Sequence, residues 1–382
     1  MKDQLQILSE KKHLEILCGI AISAIVIVTL WPFDFFPPNK VSWLPEANGI
    51  RFDRAGIVVS DAPLKAGAAQ STNSCTLEIL LRPLSVEPAQ TILGFYTPNN
   101  PTQFQVGQHR DGLLLFRVSM DPENKGRTEE FDVDHLFDQG QLVLLTITSG
   151  PNGTVVYKDG HQAQSSSRFT ILQTDLSGQL VMGTSAVNYE PWQGEVRGLG
   201  IYSQELRPTE ALLHYNNWIS GDAGMGELDR ATALFSFTES TSREIHNRVA
   251  SGPNLEIPKM FEVPYKTFLT APMNDFEATW RYVGHLFENI AAFVPLGFIV
   301  CAYFTATTGR RRAILYTIIA AGILSFTIEV LQAYIPQRES DLTDIITNTL
   351  GGSLGALLAW PTIVQTLLQR TIAVYRRSLQ QP

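Results

Sequence analysis

Eight polar side chains stand out because they fall in a stretch otherwise apolar enough for a bilayer. They are Glu288, Asn289, Glu329, Gln332, Arg338, Asp341, Asp344 and Asn348, all within residues 287–358. A charged group in hydrocarbon costs about 3 kcal/mol on insertion scales, so such residues normally face a protein interior or a watery cavity. Their spacing is helical. Glu329 and Gln332 are i, i+3, while Asp341, Asp344 and Asn348 are i, i+3, i+7, so each set shares a helix face. Carboxylates and amides on such faces can bind a polar headgroup. Arg338 can pair with Asp341 or Asp344, or present a fork to a phosphate. The bland alternative is that these groups only hold helices together. The expected ligand-binding set is Asn289, Glu329, Gln332, Arg338, Asp341, Asp344 and Asn348, with no catalytic residue assigned, no cofactor and the metal question open.

Four apolar segments must position this set: residues 14–36, 284–306, 313–335 and 342–364. Each approaches the ~20 residues a bilayer requires. The bulky Trp31-Pro32-Phe33-Asp34-Phe35-Phe36 is no signal-peptidase site, so the first segment is read as a retained anchor. Lys2, Lys11 and Lys12 precede it, Arg310, Arg311 and Arg312 join the second and third, and Arg370, Arg376 and Arg377 follow the fourth. The positive-inside rule then puts both termini in the cytoplasm and the middle of the chain outside. Trp31, Trp43, Trp280 and Tyr282 suit the outer interface. Pro295 lacks an amide donor and loosens the second helix near Ala291. Gly351, Gly352 and Gly355 allow close helix approach, Gly351 and Gly355 in Gly-x-x-x-Gly spacing.

The chain has 382 residues, enough for two or three units, and a formal charge of −8, which with no basic stripe argues against nucleic acid. Three scattered cysteines, Cys18, Cys75 and Cys301, do not make a disulfide framework. From Asn48 to about Trp218 short alternating runs such as Cys75-Thr76-Leu77-Glu78-Ile79 and Leu113-Leu114-Leu115-Phe116 alternate with turn signals. Asp111-Gly112, Asn152-Gly153 and Asp159-Gly160 predict hairpins. The pattern predicts an all-β antiparallel jelly-roll sandwich, with a helical turn over residues 207–218. Asp132, Asp134 and Asp138 have the spacing of calcium ligands, but a solvated acidic loop is the simpler reading. Asn152-Gly153-Thr154 fits a glycosylation sequon and is better explained as a tight turn.

Particular residues here resemble the laminin-G-like, concanavalin A-like jelly rolls. Val155-Val156-Tyr157-Lys158-Asp159-Gly160 is similar to the family's Tyr-x-Asp-Gly hairpin. Trp192-Gln193-Gly194-Glu195-Val196-Arg197-Gly198-Leu199-Gly200-Ile201-Tyr202 resembles its closing strand. The resemblance implies a glycan-binding or spacer module. The Glu-x-Asp-x-x-Glu strand of the hydrolase relatives is missing from the sequence, so no glycoside cleavage is expected.

Around the apolar segments the chain resembles the VanZ-like membrane family. Asn289-Ile290-Ala291-Ala292-Phe293-Val294-Pro295-Leu296-Gly297-Phe298 is similar to its Asn-x-x-x-Phe-x-Pro-x-Gly-Phe element. Ser325-Phe326-Thr327-Ile328-Glu329-Val330-Leu331-Gln332 is similar to its Ser-x-x-x-Glu-x-x-Gln helix, and the runs 336–344 and 348–355 complete the pattern. The expected fold is therefore mixed, a four-helix transmembrane bundle plus the jelly roll. The expected domains are residues 1–39 with the first helix, 40–230 the jelly roll, 231–282 a junction in which 233–237 can add one more strand, 283–369 the remaining helices and 370–382 a basic tail. Pro295, Gly297, Gly351, Gly352 and Gly355 are the packing or kink positions. The resemblance implies cell-envelope work in a bacterial cytoplasmic membrane and a link to low-level teicoplanin resistance. The expected partners are the bilayer, a polyprenyl-linked or other envelope lipid at the polar cluster, and glycan at the jelly roll. The alternative is an intramembrane enzyme or transporter acting on a lipid phosphate, with His285, Glu288, Glu329, Asp341 and Asp344 as its groups.

Overall fold

The computed structural model describes residues 2–65, 73–87, 89–119, 126–221, 231–250, 252–272 and 279–359. The chain divides into two compact units: Phe36–Lys266, and the segments on either side of it. Helix α1 (Lys2–Leu30) leads into the first strands, β1 (Val41–Trp43), β2 (Ile50–Phe52) and β3 (Val58–Ser60). The long strands follow: β4 (Cys75–Pro83), β5 (Gln90–Thr97), β6 (Asn100–His109), β7 (Gly112–Val118) and β8 (Thr128–Val133). Next come β9 (Val143–Gly150), β10 (Gly153–Lys158), β11 (His161–Ser166), β12 (Gln179–Met182) and β13 (Gly194–Tyr202). Helix α2 (Pro208–Ser220) precedes the short strands β14 (Ala231–Phe235), β15 (Glu244–Ile245) and β16 (Leu255–Glu256). Helices α3 (Trp280–Thr308), α4 (Arg310–Gln332) and α5 (Leu342–Leu358) complete the described chain.

The strands make an antiparallel sandwich. One sheet runs β1-β2-β13-β4-β9-β10-β11, with β14 also paired to β13, and the other runs β15-β16-β3-β12-β5-β6-β7-β8. Period-two alternation decides which side chains enter the core. In β2, Ile50 and Phe52 are buried while Arg51 points away. Trp192 is fully buried beside Phe52, ring centroids 5.9 Å apart, and donates its Nε1 hydrogen to Gln108 Oε1 at 2.8 Å. Burying each side chain of this size contributes about 1.5–3 kcal/mol.

The expected hairpins form. Asp159 and Gly160, at φ 53° and 76°, supply the two left-handed residues of the β10–β11 turn. Asp159 Oδ1 also accepts from the Leu144 amide at 2.9 Å, pinning that turn to β9. Helix α2 starts with Pro208 at its first turn and Glu210 Oε2 accepting from the Arg207 amide at 2.7 Å. It ends at Gly221, left-handed at φ 82°. Of the stretch 231–282 expected as a junction, residues 231–266 fall in the sandwich unit, where β14 is the further strand expected over 233–237 and β15 and β16 are short additions.

In the helical unit Leu30, Phe293, Leu296, Ala321, Ile328 and Ile335 form one apolar cluster. Thr279 caps α3, its Oγ1 accepting from the Tyr282 amide at 3.2 Å. Helix α3 runs unbroken through Pro295. The packing glycines lie where α3 and α5 touch by backbone. A Cβ on Gly351 would collide with the Ile290 carbonyl, one on Gly355 with the Val294 carbonyl, and one on Gly297 with Gly352. Among the described residues three helices are long and apolar enough to cross a membrane: residues Lys11–Leu30, Trp280–Thr308 and Arg310–Gln332. The fourth expected span, 342–364, is helix through Leu358, Ala359 caps it, and residues 360–364 lie outside the described residues. So does the expected basic tail, 370–382.

Candidate functional site

The buried stripe of α4 is Ala313, Thr317, Ala321, Ser325, Ile328, Glu329 and Gln332, steps of three and four that keep one face inward. Glu329, 1% exposed, therefore sits inside the unit. Its Oε2 accepts from the Asp341 amide at 2.9 Å, where Asp341 is the N-cap of α5. A carboxylate at a helix N-terminus meets unsatisfied amides and the positive end of the dipole.

The other expected residues each cross between helices. Asn289 Nδ2 of α3 donates to Asp344 Oδ1 of α5 at 2.7 Å. Asn348 Nδ2 of α5 donates to Ser325 Oγ of α4 at 3.0 Å. Gln332 Nε2 of α4 donates to the Thr29 carbonyl of α1 at 3.1 Å. Arg338 was expected to pair with Asp341 or Asp344, or to offer its fork to a phosphate. Its Nη2 and Nε instead donate to the Trp31 carbonyl at 2.8 and 3.2 Å, and Nη2 also reaches the Val28 carbonyl at 3.4 Å. It thus serves the orphan carbonyls at the end of α1. The structure brings Glu329, Asp341, Asp344, Asn289 and Asn348 into one linked set at the α4–α5 turn, with Gln332 and Arg338 tying that turn to α1. Ser325, fully buried, belongs to the set and was not assigned to it from sequence. Its place four residues before Glu329, on the same helix face, was the available signal.

Two clefts of the sandwich are lined by polar side chains among the described residues. One, about 310 Å³, is lined by Gln90, Gln105, Gln108, Asn188, Glu190 and Phe116 among others. Gln90 is 3% exposed; its Nε2 donates to Ser85 Oγ at 3.2 Å, and among the described residues its Oε1 has no hydrogen-bond partner. The second, about 450 Å³, is lined by Asn48, Arg197, Trp218, Glu239, His246 and Arg248 among others. Among the described residues no three His, Cys, Asp or Glu side chains are placed to hold a metal ion. In the expected acidic loop Asp138 pairs with Lys158 at 3.1 Å. Nearby, His135 Nδ1 lies 2.6 Å from Asp111 Oδ2. The hydrogen bond and the charge of Asp111 raise the His135 pKa, and the same bond lowers that of Asp111.

A fold of this kind is a membrane-type helical unit joined to a lectin-like sandwich, and the family comparisons agree. The VanZ/LLP1 family model matches residues 231–366, and that of the concanavalin A-like lectin/glucanases superfamily matches residues 58–211. The chain thus carries a VanZ-like domain and a concanavalin A-like domain. Protein VanZ of Enterococcus faecium is 30% identical over 86 residues, which is 22% of this chain and 50% of that protein. The match therefore spans half the length of this curated relative. Among solved structures, a putative carbohydrate binding protein from Bacteroides ovatus ATCC 8483 superposes with a TM-score of 0.40 at 12% identity, over 56% of this chain and 61% of that one. The ligand binding domain of botulinum neurotoxin serotype D, solved with N-acetylneuraminic acid, gives 0.35 at 15%, over 48% and 45%. The sandwich assignment rests on strand order and on the family model.

Proposed function

We propose that this chain is a multi-pass protein of the bacterial cytoplasmic membrane that binds the headgroup of an envelope lipid or lipid-linked glycan at the Glu329 cluster. In this reading α1, α3, α4 and α5 form a four-span bundle with both termini cytoplasmic, as the basic flanks require. The sandwich then lies outside the membrane and binds glycan, its amide-lined cleft supplying the donors and acceptors that sugar hydroxyls need. The likeness to Protein VanZ extends the reading to low-level glycopeptide tolerance, through a hold on lipid-linked wall precursors.

The observation that supports it most is the placement of Glu329. A carboxylate only 1% exposed, inside a unit of apolar helices, carries a desolvation penalty that a leucine would avoid. Its neighbours Asn289–Asp344 and Ser325–Asn348 concentrate further polar groups at the same turn. Keeping so many costly groups together makes sense when a polar ligand shares them.

The test is binding of a radiolabelled polyprenyl phosphate to the detergent-purified full chain, with phosphatidylglycerol as competitor. Saturable binding that phosphatidylglycerol does not displace supports the reading. Failure to bind any polyprenyl phosphate or polyprenyl-linked sugar contradicts it.

A further inference from the structure

Three arginines surround one buried carboxylate on the sandwich, at a place none of the functions above uses. Val196 of β13 enters the core, so Glu195 and Arg197 on either side of it share the opposite face of the sheet. Strand register does the rest. Glu195 is aligned with Arg51 of β2 on one side and with Arg82 of β4 on the other. Arg51 Nη2 lies 2.7 Å from Glu195 Oε1, while Arg82 Nη1 and Arg197 Nη2 lie 3.2 and 3.1 Å from Oε2.

The charges do not balance. Three guanidiniums face a single carboxylate, and among the described residues none of the three has another ion-pair partner. The Glu195 side chain is 3% exposed, whereas those of Arg51, Arg82 and Arg197 are 47%, 31% and 22% exposed. The negative charge is thus underneath and the positive charges form the accessible layer. The carboxylate orients the forks, and among the described residues the Nε–H groups of Arg82 and Arg197 have no acceptor. Burial raises the Glu195 pKa, but hydrogen bonds from Arg51 and Arg197 and the charge of Arg82 outweigh it and hold the acid below its usual range. The surplus is therefore a fixed feature near neutral pH.

Arg197 also lines the 450 Å³ cleft, whose wall includes the Trp218 ring, the Asn48 amide and Arg248. Arg248 Nη1 lies 3.4 Å from Ser236 Oγ at the same cleft. Guanidinium forks match the paired oxygens of phosphate and carboxylate, and a cleft beside them with an aromatic wall and an amide suits a hydroxylated chain. We propose that the Arg51–Arg82–Arg197 cluster and its adjoining cleft bind an acidic glycan or polyol, a hydroxylated chain carrying phosphate or carboxylate groups. The site lies on the sheet opposite the amide-lined cleft and goes beyond the lipid reading of the helical unit, on which it does not depend.

The experiment is a titration of the full chain in detergent with three polymers: poly(glycerol phosphate), polygalacturonate and neutral dextran. Binding is followed by calorimetry at low and moderate salt. Arg51→Gln and Arg197→Gln remove one fork each, and Arg168→Gln removes an exposed arginine elsewhere on the sandwich. Binding of at least one acidic polymer, none of dextran, weakening with salt, and loss of about tenfold in affinity in the first two variants alone are expected. A preference between the acidic polymers identifies the oxyanion. Absence of binding to both acidic polymers, or equal weakening in all three variants, overturns the proposal. If Arg197→Gln lowers the melting temperature, the more exposed Arg51→Gln decides, since Arg82 and Arg197 still hold Glu195 there.

Discussion

Asn289 Nδ2 donates to Asp344 Oδ1 at 2.7 Å, so one amide joins α3 to the first turn of α5 through a carboxyl acceptor. Such an intramolecular hydrogen bond contributes about 0.5–1.5 kcal/mol, and a buried group left without its partner costs about 1–3 kcal/mol. Asn289→Ala should lower the stability of the helical unit by that order. Thermal unfolding in detergent checks it, and a melting temperature equal to the parent's would show that the bond adds nothing.

Backbone contact between α3 and α5 gives a sharper test. Gly351→Val and Gly355→Val place a side chain against the Ile290 and Val294 carbonyls, which cannot yield without parting the helices. Both should abolish a monodisperse, folded protein. Gly284→Ala, where nothing among the described residues lies within 4 Å of the added carbon, should be neutral or stabilise by up to about 1 kcal/mol. Size-exclusion profiles of the three variants check the contrast.

Helix α2 is fastened to the sandwich by Glu78. This fully buried carboxylate accepts from Trp218 Nε1 at 2.8 Å and Thr146 Oγ1 at 3.1 Å, and lies 3.1 Å from His214 Nδ1. Trp218→Phe removes one donor from a buried acid and should cost about 1–3 kcal/mol. Hydrogen exchange should quicken across α2 before it quickens in β9, and uniform exchange across both would argue against a local fastening.

The arginine cluster sets a pH dependence. Glu195 has a folded pKa below its usual value of 4.5, so its contribution is present above that value. It is lost as pH falls through the lowered folded value. The stability difference between the parent and Glu195→Gln should therefore be constant near neutrality and shrink in acid. Amide exchange in β4 and β13 reads it, and a gap unchanged down to pH 3 would contradict the role of the ionised acid.

Much of this was legible in the sequence for physical reasons. Apolar length marked α3 and α4, Asp159-Gly160 marked a hairpin because it supplies two left-handed residues, and Pro208 marked the start of α2. Alternation marked the long strands. It failed for β15 and β16, since two residues have no period, and the stretch holding them therefore read as a junction. The polar set of the helical unit was visible because charge in an apolar stretch is conspicuous. The destination of Arg338 was not, because its acceptors are the Val28 and Trp31 carbonyls, which every residue type possesses. The Glu195 cluster was equally hidden. Arg51, Arg82 and Arg197 meet only through the register of β2, β13 and β4, which a linear pattern does not encode.

The central claim is that the Glu329 cluster holds a lipid headgroup, and native mass spectrometry of the full chain beside Glu329→Gln and Asp344→Asn tests it most directly. Glutamine keeps an acceptor for the Asp341 amide while removing the carboxyl group, so the fold should survive. The account predicts a co-purifying polyprenyl phosphate or glycolipid on the parent, lost from both variants. The same lipid retained in folded variants, or no lipid on any of the three, would contradict it.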